Sequence, residues 1–377
     1  MNGLWACLLV LIVSYGGLQW SWWLLSFFEF HGVPDILADG FPLGVAVIVV
    51  IPAKNEIGCI QDTVTRWRDQ VQVSGVMVLD DDSTDGSADA AWAGGAYVVT
   101  NAGKWKGGKA GAMEWWSREC DHSESVVYVF SDADNIPDPA HRCTAARLAL
   151  VAHRHGIAQC QVRGKPGNFL QDVLGVERAS AWAVLESGRC RMGASAYLAG
   201  SGWAATGLLF STIKFPTFSV CDDLAYSFRV AALGLRVPYV EQVVVLEGHP
   251  ASLRVLWRQR VRWARGTFQC IFDRSILGAM RGTEWWMGWF MVIGQMMMLV
   301  FMGSVLASMM VTPERFVGML TSVWLLSMMF CVSGALRTRR WRGILGYMFL
   351  WGLNLMACGV GLLSWHSMNW VPTIHKG

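Results

Sequence analysis

The chain has 377 residues, 53% of them hydrophobic and only 16% charged, with a formal net charge of +3. That balance is too apolar for an ordinary soluble enzyme or a disordered chain. The small net charge and the lack of a long basic tract give no footing for nucleic-acid binding. The ten cysteines stand singly, with no Cys-x-x-Cys pair to suggest a zinc ribbon or a redox motif.

Leu4 to Phe28 is almost wholly apolar and lacks the basic start and small-residue cleavage site of a secretory signal. It is expected to be an uncleaved anchor within residues 1–30. Three later stretches, Trp285 to Val311, Phe316 to Ser333 and Ile344 to Ser364, each approach the roughly 20 residues needed to cross hydrocarbon, placing three membrane helices within residues 284–366. The short basic loop Arg337-Thr338-Arg339-Arg340-Trp341-Arg342 belongs on the cytoplasmic side by the positive-inside rule. The polar stretch, residues 42–275, then lies on that side too.

Within that stretch, short apolar runs alternate with helical patterns. Val45 to Ile51 reads as a strand, followed by a helix over Glu56 to Gln70 that Asn55 can cap, with Ile57, Ile60, Val64 and Trp67 on one face. Val76 to Leu79 is a buried strand ending at Asp80, and further strands are expected at Ala96 to Thr100 and Val126 to Phe130, with a helix over Ser87 to Trp92 between the first two. Such alternation predicts an α/β fold with a mostly parallel, doubly wound sheet whose ligands bind at the carboxyl ends of the strands. Beyond Ala140, helices are expected at Thr144 to His153 and Asn168 to Leu185, and Tyr197 to Ala205 is rich in small residues. His153-x-His155 is read as a solvated helix face rather than a metal site.

Acidic words fall at the ends of these strands. Asp132 and Asp134 flank one residue after the strand ending at Phe130, and two hard oxygen donors so close together suit Mg2+ or Mn2+, although an Asx-turn or helix cap leading into Pro137 is the simpler reading of the word in isolation. Asp80 and Asp81 can hold a ribose or base through charge-assisted hydrogen bonds, or form a solvated turn. The glycine-rich run Gly103 to Gly111 opens a helix and offers free amides and Lys109 to a phosphate. It lacks the spacing and terminal hydroxyl of a P-loop.

Asp222-Asp223 precedes a helix and exceeds what a cap requires; Asp223 is the candidate general base. On the helical wheel Leu253, Trp257, Val261, Ala264 and Phe268 form an apolar stripe, with Gln259, Arg262 and Trp263 opposite and Arg254, Arg258 and Arg265 on a third flank suited to lipid phosphates. Arg262 can stabilise a leaving diphosphate and Trp263 can stack on an acceptor sugar; a membrane-anchoring helix is the simpler reading of this segment alone.

The order of these words resembles the family 2 glycosyltransferases, inverting GT-A enzymes that include cellulose, chitin and hyaluronan synthases, over about residues 45 to 270. Pro52-Ala53-Lys54-Asn55-Glu56 resembles the family's opening strand end, Val78 to Gly86 its nucleotide-binding turn, Asp132-Ala133-Asp134 its metal-binding word, and Gln259, Arg262 and Trp263 its Gln-x-x-Arg-Trp word. The resemblance implies that Pro52, Glu56, Asp80, Asp81, Lys109 and Asp132 bind the donor with Gln259, Arg262 and Trp263, and that Asp134, with Asp132, holds Mg2+ or Mn2+. It makes Asp223 the base beside Asp222. Gly200 and Gly202, in Gly200-Ser201-Gly202-Trp203-Ala204, would shape the acceptor side with Trp263. Glu114 and Asp222 depart from the more frequent residues of the family. The implied enzyme is an integral protein of the bacterial inner membrane with a cytoplasmic catalytic domain. It would move sugar from a nucleotide-diphosphate donor, a UDP-sugar by the resemblance, to a polysaccharide or lipid acceptor in exopolysaccharide or envelope synthesis. A catalytically silent subunit that binds nucleotide sugar is the rival from another class.

Overall fold

The computed structural model describes residues 40–273 and 328–368, with Ser21 and Leu24. The expected membrane segments at 4–28 (apart from those two residues) and 285–311, and most of the one at 316–333, lie outside the described residues.

The chain runs β1 (Ala46–Ala53), α1 (Ile60–Arg68), β2 (Val73–Asp80), α2 (Ser87–Ala93), β3 (Tyr97–Thr100), α3 (Gly108–Glu119), β4 (Val126–Phe130), β5 (Ile136–Pro137), α4 (Thr144–His155), β6 (Ile157–Gly164) and α5 (Phe169–Ala179). A π-helical turn at Ser180–Glu186 leads to α6 (Ser187–Arg191), β7 (Trp203–Thr206), α7 (Gly207–Thr212), α8 (Asp222–Ala232), β8 (Tyr239–Glu247) and α9 (Leu253–Phe272). Helical residues 328–338 follow, then α10 (Ile344–Leu363).

The strands form one sheet of order β3-β2-β1-β4-β7-β6-β8-β5. β1 pairs in parallel with β2 and β4, as β2 does with β3, so this half is doubly wound as expected. β7 enters antiparallel to both β4 and β6, and β5 antiparallel to β8, so the mostly parallel sheet expected is mixed by two reversed strands. Both faces are covered, which is why the strands read as continuous apolar runs. Val47, Val49 and Ile51 pack with Trp67 and Leu148 on one side; Val50, Tyr128 and Phe130 pack with Trp203, Phe210 and Tyr226 on the other.

Strand succession reverses between β1 and β4: β2 and β3 lie to one side, and everything later to the other. The backbone NH of Ser131 donates to Val50 O at 3.1 Å, holding the two strand ends together. A reversal of this kind leaves an open crevice at the carboxyl ends of the strands.

One helix boundary is corrected. α1 begins at Ile60, not Glu56, because Asn55 takes a left-handed conformation (φ 57°) and spends its side chain on the backbone NH of Thr84 instead of capping the helix. Ile57 is consequently 53% exposed. Among the described residues no single helix is both long and apolar enough to cross a membrane. Segments Trp341–Tyr347 and Gly352–Leu363 meet that length and composition only together, bent by 50°.

Candidate active site

The crevice at the β1/β4 reversal is lined by Pro52, Lys109, Phe130, Ser131, Gly200, Trp203, Asp222 and Asp223, among others. Four separated words therefore meet in one place. Lys109, on the first turn of α3, reaches Asp132 Oδ1 at 2.5 Å and the carbonyl of Gly200 at 3.3 Å. The preceding turn is left-handed at Gly107 and Gly108 (φ 94° and 63°), which glycine adopts without the penalty a Cβ would bring.

Gly200 is there because β7 is antiparallel. Phe130 pairs with Trp203, their rings stacked at 3.9 Å, so the residues just before β7 run alongside the carboxyl end of β4. A Cβ on Gly200 would sit 2.7 Å from Asp132 Oδ2 and 3.3 Å from Lys109 Nζ. Gly202 lies apart from the crevice lining: its NH bonds Phe130 O at 2.9 Å and its Cα faces Cys160 and Val245, a packing role in the sheet.

Asp222 and Asp223 form the first turn of α8. Burial, then the neighbouring Asp222, push the Asp223 carboxyl up to about 6, against the pull of Lys109, the Leu224 amide and Arg262. Asp222 Oδ2 is buried without a hydrogen-bond partner. Burial alone would lower the Lys109 ammonium, yet Asp132, Asp222 and Asp223 outweigh it and raise its pKa, so the lysine stays charged.

The Gln-x-x-Arg-Trp helix is locked to this carboxylate pair. Gly266 of α9 sits so close to Cys221 that a Cβ would fall 2.5 Å from its sulfur. Arg262 Nη1 donates to Val220 O at 3.1 Å, and Gln269 Oε1 accepts from Val220 N at 2.9 Å. Gln259, Arg262 and Trp263 are half-buried on α9 beyond the crevice lining itself. Arg254 and Arg258 are exposed, whereas Arg265 turns inward to Ser364 Oγ at 3.3 Å.

Asp80 and Asp81 end the adjoining strand β2. Asp81 accepts from Lys54 Nζ (2.9 Å), Asn101 Nδ2 (3.0 Å) and Trp105 Nε1 (2.8 Å). Asp80 is buried, with Oδ2 bonded to the Ser83 amide and Oδ1 without a partner. Such a buried acceptor is costly unless a ligand completes it.

Glu56, after β1, has its carboxyl pushed up to about 7 by burial first, then by Asp134, with Asp132 and Asp85 adding smaller repulsions and Cys59 opposing them. The repulsion that Asp134 and Asp132 exert on Glu56 is of the kind a divalent cation would quench. Among the described residues no group of three or more His, Cys, Asp or Glu converges on one metal position. Asp132 and Asp134 are the hard oxygen donors that Mg2+ or Mn2+ takes, and such ions usually keep several waters and bind through one or two carboxylates plus phosphate oxygens.

Several positioning residues carry no sequence motif. Trp67 Nε1, from α1, donates to Ser131 Oγ (3.0 Å) and Asn135 O (3.1 Å), tying down both ends of the Asp132–Asp134 turn. Ser201 Oγ accepts from Asp132 N at 2.9 Å. Trp67 reads as core from sequence, and only its indole NH, which a buried tryptophan must satisfy, hinted at more.

A family model described as "Glycosyl transferase family group 2" matches residues 128–371, and one described as "Glycosyl transferase family 2" matches residues 48–192. The chain is similar to the probable glycosyltransferase YdaM of Bacillus subtilis (strain 168), with 24% identity over 238 residues, 58% of this chain and 54% of that protein. The chain thus spans about half the length of the curated relative it matches. Its fold is similar to that of the mannosyltransferase PcManGT from Pyrobaculum calidifontis, solved in complex with GDP-Man and Mn2+: TM-score 0.56, 17% identity, 91% of this chain and 98% of that one covered. A weaker likeness, TM-score 0.41 and 19% identity over 65% of this chain and 85% of the other, is to glucosyl-3-phosphoglycerate synthase from Mycobacterium tuberculosis.

Proposed function

The chain belongs to the Glycosyl transferase family group 2, and from that premise we propose that it is a membrane-embedded, inverting glycosyltransferase drawing on a nucleotide-diphosphate sugar. The observation that carries the reading is the meeting of Lys109, Asp132, Asp222 and Asp223 around one crevice at the sheet's reversal point. It offers a cation for a diphosphate beside a carboxylate with a raised pKa, the pairing that transfer to a hydroxyl requires.

Asp223 accepts the proton of the acceptor hydroxyl as that oxygen bonds to the anomeric carbon. The bond from that carbon to the diphosphate oxygen breaks on the opposite face, so one displacement inverts the centre without a covalent sugar–enzyme intermediate. Lys109 and Arg262 offset the charge left on the diphosphate. Asp80 and Asp81 hold the nucleoside; the unpartnered Oδ1 of Asp80 supports this, and a uridine is the base the sequence resemblance favours. Mg2+ or Mn2+ held by Asp132 and Asp134 would supply further neutralisation of the diphosphate.

The acceptor is a growing polysaccharide or a membrane lipid, and the site is the cytoplasmic face of the bacterial inner membrane. Arg340 of the basic loop supports a shared side for loop and catalytic domain, since its Nη2 donates to Gly164 O at 2.6 Å. Membranes carrying the protein, incubated with labelled nucleotide sugars and separated into lipid extract and polymer, test the reading. Label in one fraction names the acceptor class; none in either, with wild-type protein and any donor, rejects the assignment.

A further inference from the structure

One buried ionic cluster plays no part in the steps above. Glu177 on α5 accepts from Arg260 Nη2 of α9 at 2.5 Å and from Asn354 Nδ2 of α10 at 3.0 Å. The ion-paired side chains are only 12% and 20% exposed. The Arg260 guanidinium carbon in turn lies 4.6 Å from the centroid of the Trp263 ring. Arg260 and Trp263 are three residues apart on one helix, the spacing at which side chains meet.

Stability is a weak explanation for this cluster, because two charges taken out of water regain little more than they lose, and an apolar pair of equal volume does as well. The cluster is also imperfectly satisfied: Arg260 Nε and Asn354 Oδ1 are buried without partners. What it does supply is orientation. A planar guanidinium fixed by a carboxylate, itself fixed by an amide from a third helix, presents a rigid face to the indole. Asn354 lies midway along an otherwise strongly apolar helix, where a lone polar side chain sets register. α10 is also seated on α9 directly, with Gly361 against Ala264.

We propose that Glu177, Arg260 and Asn354 are positioning residues that set the plane of Trp263 and make the apolar C-terminal helix part of the acceptor site. This rests on the functional reading above, taken with the expectation from sequence that Trp263 stacks on the acceptor sugar.

The test uses the full chain in detergent, labelled with fluorotryptophan, the Trp263 fluorine resonance being assigned by its loss in Trp263→Phe. Asn354→Leu and the double variant Glu177→Gln/Arg260→Met are compared with wild type; the double variant removes both charges together and leaves no lone buried ion to unfold the protein. A shifted Trp263 line in both is expected, with acceptor KM raised about fivefold and donor KM unchanged. Arg260→Lys, which keeps the ion pair but loses the flat cation, raises acceptor KM without lowering the melting temperature. A Trp263 line unmoved in both variants overturns the proposal whatever the activity, as does an equal rise of donor and acceptor KM. Wild type that transfers no sugar, with the line still shifting in the variants, overturns the functional reading and leaves the positioning role standing.

Discussion

Lys109 Nζ lies 2.5 Å from Asp132 Oδ1, so the start of α3 and the end of β4 are joined by a charge pair at the mouth of the crevice. The pair is about one-third exposed on each side, leaving the ammonium open to a ligand that competes with Asp132 for it. Lys109→Met is expected to raise donor KM and cut kcat/KM about 100-fold, the usual loss when one charge-stabilising donor goes. It also removes a cation that holds the Asp223 pKa down, so the acid limb of the pH–rate profile should move to higher pH. A limb that stays in place would separate Lys109 electrostatically from the base.

Asp223→Asn is expected to cut transfer by at least about 1000-fold while donor binding, followed by calorimetry, stays within a few fold. In the wild type, rate should rise with pH through about 6 as the carboxylate forms. The stability sign is opposite. A carboxyl whose pKa is raised on folding contributes stability below its unfolded value of 3.8, and that contribution is lost as pH rises through about 6. Asp223→Asn should therefore melt no lower than wild type at neutral pH, and a clear drop in melting temperature would argue that the carboxylate is structural.

Gly200→Ala places a methyl 2.7 Å from Asp132 Oδ2. The backbone at Gly200 is not left-handed, so the change tests crowding rather than strain. The expected outcome is a folded protein whose kcat/KM falls about tenfold or more, because the Lys109–Asp132 pair must shift. Circular dichroism with steady-state kinetics checks both halves, and unchanged kinetics would detach Gly200 from the site.

Trp67→Phe removes the indole NH that holds Ser131 Oγ and Asn135 O. Loss of those buried hydrogen bonds should cost about 1–2 kcal/mol in denaturant unfolding. The divalent-ion concentration needed for half-maximal activity should rise as the Asp132–Asp134 turn loosens. An unchanged ion requirement would confine Trp67 to packing.

The parallel half of the sheet was legible because its strands are runs of Val, Ile and Leu, buried on both faces, that stop at polar residues such as Asp80 and Ser131. Element type followed from period, and the acidic words from their place after those runs. β7 was not legible: Trp203–Thr206 is four residues long, set in a small-residue stretch, and its antiparallel direction comes from pairing with Phe130 rather than from any local preference. The Asn55 cap failed for a similar reason, since a tertiary partner, the Thr84 amide, drew the side chain away from the helix. Within the site, charged residues announced themselves by type and spacing. The groups that hold them, Trp67, Trp105, Ser131 and Ser201, carry ordinary core or hydroxyl side chains whose roles depend on contacts across tens of residues.

The close seating of Gly266 on Cys221 bears on how a bulky donor gets in. Because α9 and the carboxylate turn are wedged into one block, that wall of the crevice cannot swing outward without tearing apart helix-to-turn packing. The run leading into Lys109 is built differently: Gly103, Gly107 and Gly108 are left-handed, and a side-chain carbon added at any of them would meet nothing within 4 Å. Under the proposed function, a proline or bulky residue placed in that strip is therefore expected to slow donor capture before it touches the bond-forming step.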